Sequence, residues 1–448
     1  MTPAEALAHL RAVEARDGRI GIDARRDMLR RLADGLLRLA EAFAAALDAD
    51  YGGRSRMDTL LADILVVADA ARYSRRKLKG WARPRRAAVP YPFWPATAFE
   101  EPVPKGIIGI IAPWNYPVQL ALWPVVDAIA AGNRVAVKPS EHVPRTAALI
   151  ASLLDEVLGH DIAVTVAGDA SVAAAFAAQP WDHLVFTGGT ATGRKVAEAA
   201  SRNLVPVTLE LGGKCPAIVL PGADLAEAAR NILVGKAVNA GQTCIAPDTV
   251  LLVGHAPAAF AAACKATGIA LPEGALASAA QEARLDALAE GARLTPLGPD
   301  GPGRQRAITL AEAPPGSPLG REEIFGPLIL MEPVADLAAA IGWITARTQP
   351  LAIYLFGATA AEEAAVAAAT RSGAIVTGRA VEYAAFPSLG FGGVGASGQG
   401  RYHGQAGFLA FSDMRARVRH GRWSLSRLFD LPRRKMALQI TERLIGKR

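Results

Sequence analysis

Gly106-Ile107-Ile108-Gly109-Ile110-Ile111-Ala112-Pro113-Trp114-Asn115-Tyr116-Pro117 sets an apolar run against a turn bounded by two prolines. The run is too short for a buried helix and apolar on both faces, so it predicts a strand covered on both sides. The same figure recurs at Arg134 to Lys138, Ile162 to Ala167, His183 to Thr187 and Val205 to Leu211, each ending in a turn beside helix-like text. Strand and helix in alternation predict a doubly wound α/β unit, with ligands at the carboxyl ends of its parallel strands. A second set predicts a second α/β unit: Pro216 to Leu220, Val250 to Val253, Leu328 to Met331, Leu351 to Phe356 and Ala374 to Val376. Two units suit a chain of 448 residues, well beyond the size at which one core stops growing.

Toward the N-terminus, residues 1 to 80 carry apolar positions at helical spacing, such as Leu29, Leu32, Leu36 and then Leu60, Ile64. They predict two or three long helices split near Gly52-Gly53. Pro84, Pro90, Pro92 and Pro95 then favour an extended arm over residues 82 to 102, suited to an oligomer contact. The Ala-rich text from Ala256 to Ala292 predicts helices with a connection, and Gly390 to Gly400 is the one glycine-dense loop.

Hydrophobic residues make up 51% of the chain and charged residues 20%, which excludes a disordered protein. Cys215, Cys244 and Cys264 cannot build a disulfide framework, and no Cys-x-x-Cys pair suggests a metal site. A reducing compartment follows, and with no secretory leader or run of 18 apolar residues the expected location is the cytoplasm. The net charge of +7 is local: residues 415 to 448 hold 11 Lys and Arg against Asp430 and Glu442, leaving residues 1 to 414 with 38 basic against 40 acidic side chains. A nucleic-acid surface is therefore not expected. The tail interleaves Arg415, Arg417, Arg419, Arg422 and Arg433-Arg434-Lys435 with Trp423, Leu425, Leu428, Phe429 and Leu431. Such an end suits a membrane surface or, the reading favoured here, docking on its own dimer.

Several residues could carry chemistry, each with a plainer alternative. Cys244, in Asn239-Ala240-Gly241-Gln242-Thr243-Cys244, lies in a polar turn between helix-like text and a strand; it is a nucleophile if something activates it, and otherwise a small core residue. Glu210 ends a strand before Leu211-Gly212-Gly213-Lys214, where it is a general base or a solvated carboxylate. The amide of Asn115 could hold an oxyanion, or the residue simply precedes Pro117 in a turn. Phe186-Thr187-Gly188-Gly189-Thr190-Ala191-Thr192-Gly193 joins strand to helix and could take a phosphate on backbone N–H groups, although it is neither G-x-G-x-x-G nor a P-loop. Lys138-Pro139-Ser140-Glu141 could meet ribose hydroxyls or be a surface pair.

Taken in order with Glu323-Ile324-Phe325-Gly326-Pro327, these motifs closely resemble the aldehyde dehydrogenase superfamily, over roughly residues 20 to 415. The 34-residue interval from Glu210 to Cys244 fits that family. Asp50-Tyr51-Gly52-Gly53-Arg54-Ser55, Asn203-Leu204-Val205-Pro206-Val207-Thr208 and Tyr402-His403-Gly404 look most like its shorter, dimeric class 3 branch, especially the coniferyl aldehyde dehydrogenases. The resemblance implies a Rossmann-like cofactor domain (1–81 and 103–210), an α/β catalytic domain (211–411), and an oligomerisation arm and tail (82–102 and 412–448). It implies NAD(P)-dependent oxidation of an aromatic or medium-chain hydrophobic aldehyde to the acid through a thioester on Cys244, by a homodimer. Asn115 and the Cys244 N–H would hold the oxyanion, and Glu210 would activate the hydrolytic water. Ile111, Pro113, Trp114, Lys138, Ser140, Glu141, Phe186, Thr187, Gly188, Gly189, Gly193, Leu211, Gly212, Glu323 and Phe325 would bind the cofactor. Glu141 favours NAD over NADP, with NADP still admissible.

The sequence also departs from the family. Gly189 replaces a Ser or Asn that could donate to the pyrophosphate, Gly378-Arg379 replaces the usual Asn-Asp, Thr249 replaces Tyr, and only 79 residues separate Cys244 from Glu323. These departures motivate an alternative, a silent NAD-binding relative with a structural or partner-binding role. A CoA-acylating dehydrogenase would not need Glu210.

Overall fold

In the computed structural model, which describes residues 1–422, 424, 426–427 and 434–446, Ile107–Ile111 is a strand with every residue buried. It lies inside a six-stranded sheet in the order Gly398–Gln399, Val207–Leu211, His183–Gly188, Ile107–Ile111, Arg134–Lys138, Ala163–Thr165. Gly398–Gln399 is antiparallel and the other five strands are parallel. The chain builds outward from Ile107–Ile111 to one edge, then returns to lay His183–Gly188 on its other side. The order reverses between those two strands, which is where a crevice opens in a doubly wound sheet.

Alternate side chains explain the burial of both faces. Ile108, Ile110, Val135 and Val137 pack with the helices Ile22–Arg38, Val66–Trp81, Pro117–Ala131 and Pro144–Val157. Ile107, Ile111, Leu184 and Phe186 pack with Pro3–Asp17, Ala170–Ala177 and Thr190–Ser201. The N-terminal region is more broken than predicted: Pro3–Asp17, Ile22–Arg38, Ala40–Tyr51, Arg56–Asp58 and Val66–Trp81, with a seven-residue π-helical turn at Thr59–Leu65. That turn carries Asp63, whose carboxylate accepts the N–H groups of Val118 and Gln119, both at 3.1 Å. An outside side chain thus caps the fully packed helix Pro117–Ala131, whose own N-cap residue Tyr116 makes no such bond.

The second sheet has seven strands in the order Arg293–Pro296, Thr309–Glu312, Leu328–Val334, Thr249–Val253, Pro216–Val219, Ala352–Phe356, Ala374–Thr377. Only Arg293–Pro296 is antiparallel. One face packs into the same core as the first sheet and the other beneath the helices Leu337–Thr345 and Ala360–Ala369. The glycine-dense loop brings Gly398 back opposite Glu210, and the helix Gly404–Ala410 packs on Pro117–Ala131. A Cβ at Gly398 would lie 2.5 Å from the Leu209 carbonyl, so only glycine allows this return.

A third sheet pairs Thr97–Pro104 with Arg85–Ala87 on one side and Ser412–Arg419 on the other, all antiparallel. The first residues of the basic tail therefore form a strand, with Arg415 3.2 Å from Glu101. Arg434–Leu444 is a helix. Trp423, Leu425, Leu428, Phe429 and Leu431 lie outside the described residues.

Candidate active site

The helix Leu225–Ala237 gives way to a tight turn before Cys244. Asn239 (φ 50°), Ala240 (φ 52°) and Gly241 (φ 70°) are all left-handed. For the two non-glycine residues this conformation costs on the order of 1–2 kcal/mol each, so it persists only where neighbours enforce it. Those neighbours are present. The Asn239 N–H donates to the Asp58 carboxylate at 2.8 Å, and its side-chain amide donates to the carbonyls of Asn115 (3.0 Å) and Gln242 (3.2 Å). The Gln242 amide donates to the Asn239 carbonyl at 3.0 Å and accepts from the Ala277 N–H at 2.9 Å. A Cβ at Gly241 would sit 2.4 Å from the Gly326 carbonyl. Beyond the turn, Tyr354 donates to the Ile245 carbonyl at 2.6 Å, which fixes the backbone after Cys244.

Two cavities meet at Cys244. The first, about 260 Å³, is the more polar of the two and opens at the strand ends on either side of the switch point. Pro113, Trp114 and Asn115 line it from one side, and Thr187, Gly188 and Gly189 from the next strand. Glu210, Leu211, Gly212, Glu323 and Phe325 complete the predicted set within it. The second, about 460 Å³, is walled by apolar side chains including Leu61, Leu120, Ile245, Phe386 and Phe391. Lys138, Ser140, Glu141, Ile111, Phe186 and Gly193 do not line the first cavity. Lys138, Ser140 and Glu141 stand at the end of the adjacent strand, where Lys138 is ion-paired with Glu141. Phe186 packs under Gly188, and Gly193 admits Leu211, which a Cβ there would meet at 2.5 Å.

Electrostatics follow from burial. Both carboxylate oxygens of Glu210 are buried, and neither makes a well-formed hydrogen bond. Desolvation pushes this carboxyl well above the usual range, only partly offset by the Gly393 N–H and Arg401. Glu323 is pushed up to about 8, first by desolvation and then by Asp248. Burial, then the Glu323 and Glu210 charges, also raise the Cys244 thiol. Burial thus favours the neutral form of both the Cys244 thiol and the Glu210 carboxyl, which line the same cavity. Cys215 and Cys264 are buried core residues.

The residues fit a dinucleotide. Gly189 begins the helix Thr190–Ser201 without any side-chain cap, leaving the first N–H groups for a phosphate. Thr187 Oγ1 and Glu323 Oε1 are buried polar atoms with no partner in the protein. A Cβ at Gly212 would fall 1.9 Å from the Glu323 carboxylate, so the glycine keeps that carboxylate over the cavity.

Sequence reasoning missed Gln281 and Arg284, which line the polar cavity from the helix Ala279–Leu288. Arg284 donates to the Ile324 carbonyl at 2.8 Å and to that of Glu323, steadying the segment that carries Glu323. Their only sequence signal was a polar i, i+3 pair in Ala-rich text. Thr249 and Gly378, expected near the site, line neither cavity: Thr249 is buried in the second sheet, and Gly378 takes a φ of 83° at a strand end with open space beside it. Arg379 reaches Glu382, on the apolar wall, at 3.6 Å.

Comparison with known proteins agrees with this geometry. Residues 5–416 match the profile of the aldehyde dehydrogenase family. A probable coniferyl aldehyde dehydrogenase of Pseudomonas aeruginosa is 38% identical over 430 residues, covering 93% of this chain and 90% of its own. A coniferyl aldehyde dehydrogenase from a Pseudomonas species is 40% identical over 427 residues, covering 91% and 88%. Substrate-bound AldH of Staphylococcus aureus has the same fold, with a TM-score of 0.92 and 29% identity over 99% of both chains. The chain belongs to the aldehyde dehydrogenase family and is an NAD(P)-dependent aldehyde dehydrogenase.

Proposed function

We propose that Cys244, Glu210 and Asn115 convert an aromatic aldehyde such as coniferyl aldehyde, or a medium-chain hydrophobic one, to its carboxylic acid through a thioester. The observation that carries this reading is the position of Cys244 between a polar cavity fit for a dinucleotide and an apolar one fit for a hydrophobic aldehyde. Cys244 Sγ forms the bond to the aldehyde carbon as Glu210 takes the thiol proton. The Asn115 amide and the Cys244 N–H hold the charge developing on oxygen. Bound nicotinamide supplies the hydride acceptor. Glu210 passes that first proton to solvent and then removes one from the water that attacks the thioester carbonyl; the C–S bond breaks and the departing sulfur takes this proton back from Glu210. Glu210 supports hydrolysis over acyl transfer to CoA. The silent alternative is not favoured, because the three reactive residues sit in one cavity.

Of the remaining cofactor-binding residues, Lys138 and Glu141, at the end of the adjacent strand, would meet the adenosine ribose, the turn from Gly188 to Gly193 the pyrophosphate, and Glu323 and Phe325 the nicotinamide ribose. Burial raises and Lys138 lowers the Glu141 carboxyl, with a net shift below the usual range, so its charge opposes a 2′-phosphate and supports NAD as the preferred cofactor. The arm strands and the tail support a homodimer. Three free cysteines support a cytoplasmic location, and among the described residues no helix is long and apolar enough to cross a membrane.

The test is reduced-cofactor formation with coniferyl, benzyl and aliphatic aldehydes, beside Cys244→Ala. Turnover that vanishes in the variant, with an acyl adduct on Cys244 visible by mass spectrometry, establishes the reading. Turnover that survives Cys244→Ala rejects it.

A further inference from the structure

Arg54 lines neither cavity, yet it is fully buried beneath both. One guanidinium nitrogen donates to the Asn115 carbonyl at 2.9 Å and to Asn239 Oδ1. The other donates to Asp63 at 2.9 Å, within an ion pair whose two side chains have no exposed surface. The second oxygen of Asp63 caps the helix that follows Asn115. The guanidinium carbon also lies 5.1 Å from the Tyr51 ring and 5.0 Å from that of Tyr116. Tyr51 donates to the carbonyls of Trp114 and Asn115 at 2.6 and 3.1 Å, and Tyr116 bonds Thr243 at 2.6 Å. Among the described residues, Arg54 is the one side chain bonded to the oxyanion segment, to the left-handed turn before Cys244, and to the cap of the helix between them.

An isolated buried cation is costly, and a buried ion pair adds little stability over an apolar pair of the same shape. What this pair supplies is geometry. Asn115 has one amide N–H committed to the Gln242 carbonyl at 3.1 Å, so the aim of the other depends on where the two backbones are held. One nitrogen of the planar fork joins the Asn115 carbonyl to Asn239 while the other holds Asp63, a fixed spacing that the single nitrogen of a lysine cannot span.

Resting on the mechanism proposed above, we propose that Arg54 is a positioning residue, which sets the Asn115 amide against Cys244 and so governs the rate of thioester formation. The experiment is single-turnover formation of reduced cofactor, enzyme in excess over coniferyl aldehyde, for wild type, Arg54→Lys, Asp63→Asn, Asn115→Ala and Arg54→Lys with Asn115→Ala. A misplacement near 1 Å costs on the order of 100-fold, so Arg54→Lys is expected to slow the step by about 10- to 100-fold. Cofactor affinity stays unchanged, because Arg54 does not reach that cavity. The discriminating readout is the double variant: if Arg54 acts through Asn115, its change adds nothing once the amide is gone. A merely structural role would lower the active fraction and add to Asn115→Ala in full. Should Arg54→Lys fail to fold, Asp63→Asn decides, since it keeps an acceptor for the helix cap while loosening the fork. An unchanged single-turnover rate, or full additivity with Asn115→Ala, overturns the inference. Wild type without aldehyde turnover overturns the mechanism beneath it.

Discussion

The two cavities that meet at Cys244 are built on different principles. In the polar one, backbone sets the frame between the lining side chains: strand ends, glycines that admit a close approach, and a helix start without a side-chain cap. The apolar one is made by side chains from stretches far apart in sequence, among them Leu61, Leu120, Ile245, Phe386 and Phe391. The first offers a ligand fixed dipoles and two buried carboxyl groups, the second shape and apolar area. Substitutions in the polar cavity should therefore change chemistry and proton balance, whereas those in the apolar one should change which aldehyde is accepted.

The largest expected effect tests the polar side. Removing a general base typically costs 100- to 10,000-fold, so Glu210→Gln should slow steady-state turnover by about that factor. Thioester formation should suffer less, leaving an acyl-enzyme that mass spectrometry detects on Cys244. In wild type the raised Glu210 carboxyl predicts hydrolysis that quickens as pH rises through its titration, since only the ionised form accepts a proton. Loss of aldehyde selectivity without loss of rate in Glu210→Gln would break the division between the cavities.

Glu323 gives the next effect, in stability. Its carboxyl ionises near 4.5 in an unfolded chain and at about 8 in the fold. Between those values the native state binds more protons, so this group's contribution to stability falls as pH rises, by about 1.4 kcal/mol per pH unit. Glu323→Gln should remove that slope. Denaturant unfolding without cofactor should show the variant's advantage growing from pH 4.5 and levelling above about 8. An advantage independent of pH would mean Glu323 is already ionised in the fold.

The same contrast explains what the sequence made legible. Strands such as Arg134–Lys138 were readable because burial on both faces leaves an apolar run; Glu210 and Asn115 stood out as candidates at the ends of such runs, and Cys244 in a polar turn between helix-like text and a strand. The second sheet's Thr309–Glu312 and Arg293–Pro296 were not, since four half-polar residues carry no period. Ser412–Arg419 hid as basic tail because seven of its eight residues are exposed and its alternation is of charge. Gln281 and Arg284 gave only a weak polar i, i+3 signal, because helices of alanine look alike until their facing partner is known. The apolar cavity was illegible for the same reason: its wall exists only once distant segments are folded together.

A smaller effect probes that wall. Phe386 is 51% exposed at the rim of the apolar cavity. Trimming a half-exposed ring loses on the order of 1 kcal/mol of contact with a bound hydrophobic aldehyde. Phe386→Ala should lower kcat/KM for coniferyl aldehyde by about 5-fold, in line with that energy. Cofactor affinity and melting temperature should not move. An equal loss for a short aliphatic aldehyde would show that the ring supports the fold and does not select substrate.

The smallest effect returns to the polar side, at Gly189. This residue is the N-cap of Thr190–Ser201, its backbone is extended, and a Cβ there would meet nothing within 4 Å. A serine fits without strain, and as a cap it gains only a few tenths of a kcal/mol over glycine. Gly189→Ser should therefore raise the melting temperature slightly without cofactor. Its effect on binding combines two opposed terms: the hydroxyl adds a donor for the pyrophosphate, but as a cap it occupies an N–H the phosphate would use. The two nearly cancel if the backbone already does the binding, and NAD affinity measured by fluorescence titration should shift by less than about 3-fold, within a fraction of a kcal/mol. A tenfold gain would mean the polar cavity depends on the side chain this protein lacks, and the contrast between a backbone-built and a side-chain-built cavity would fail at its first turn.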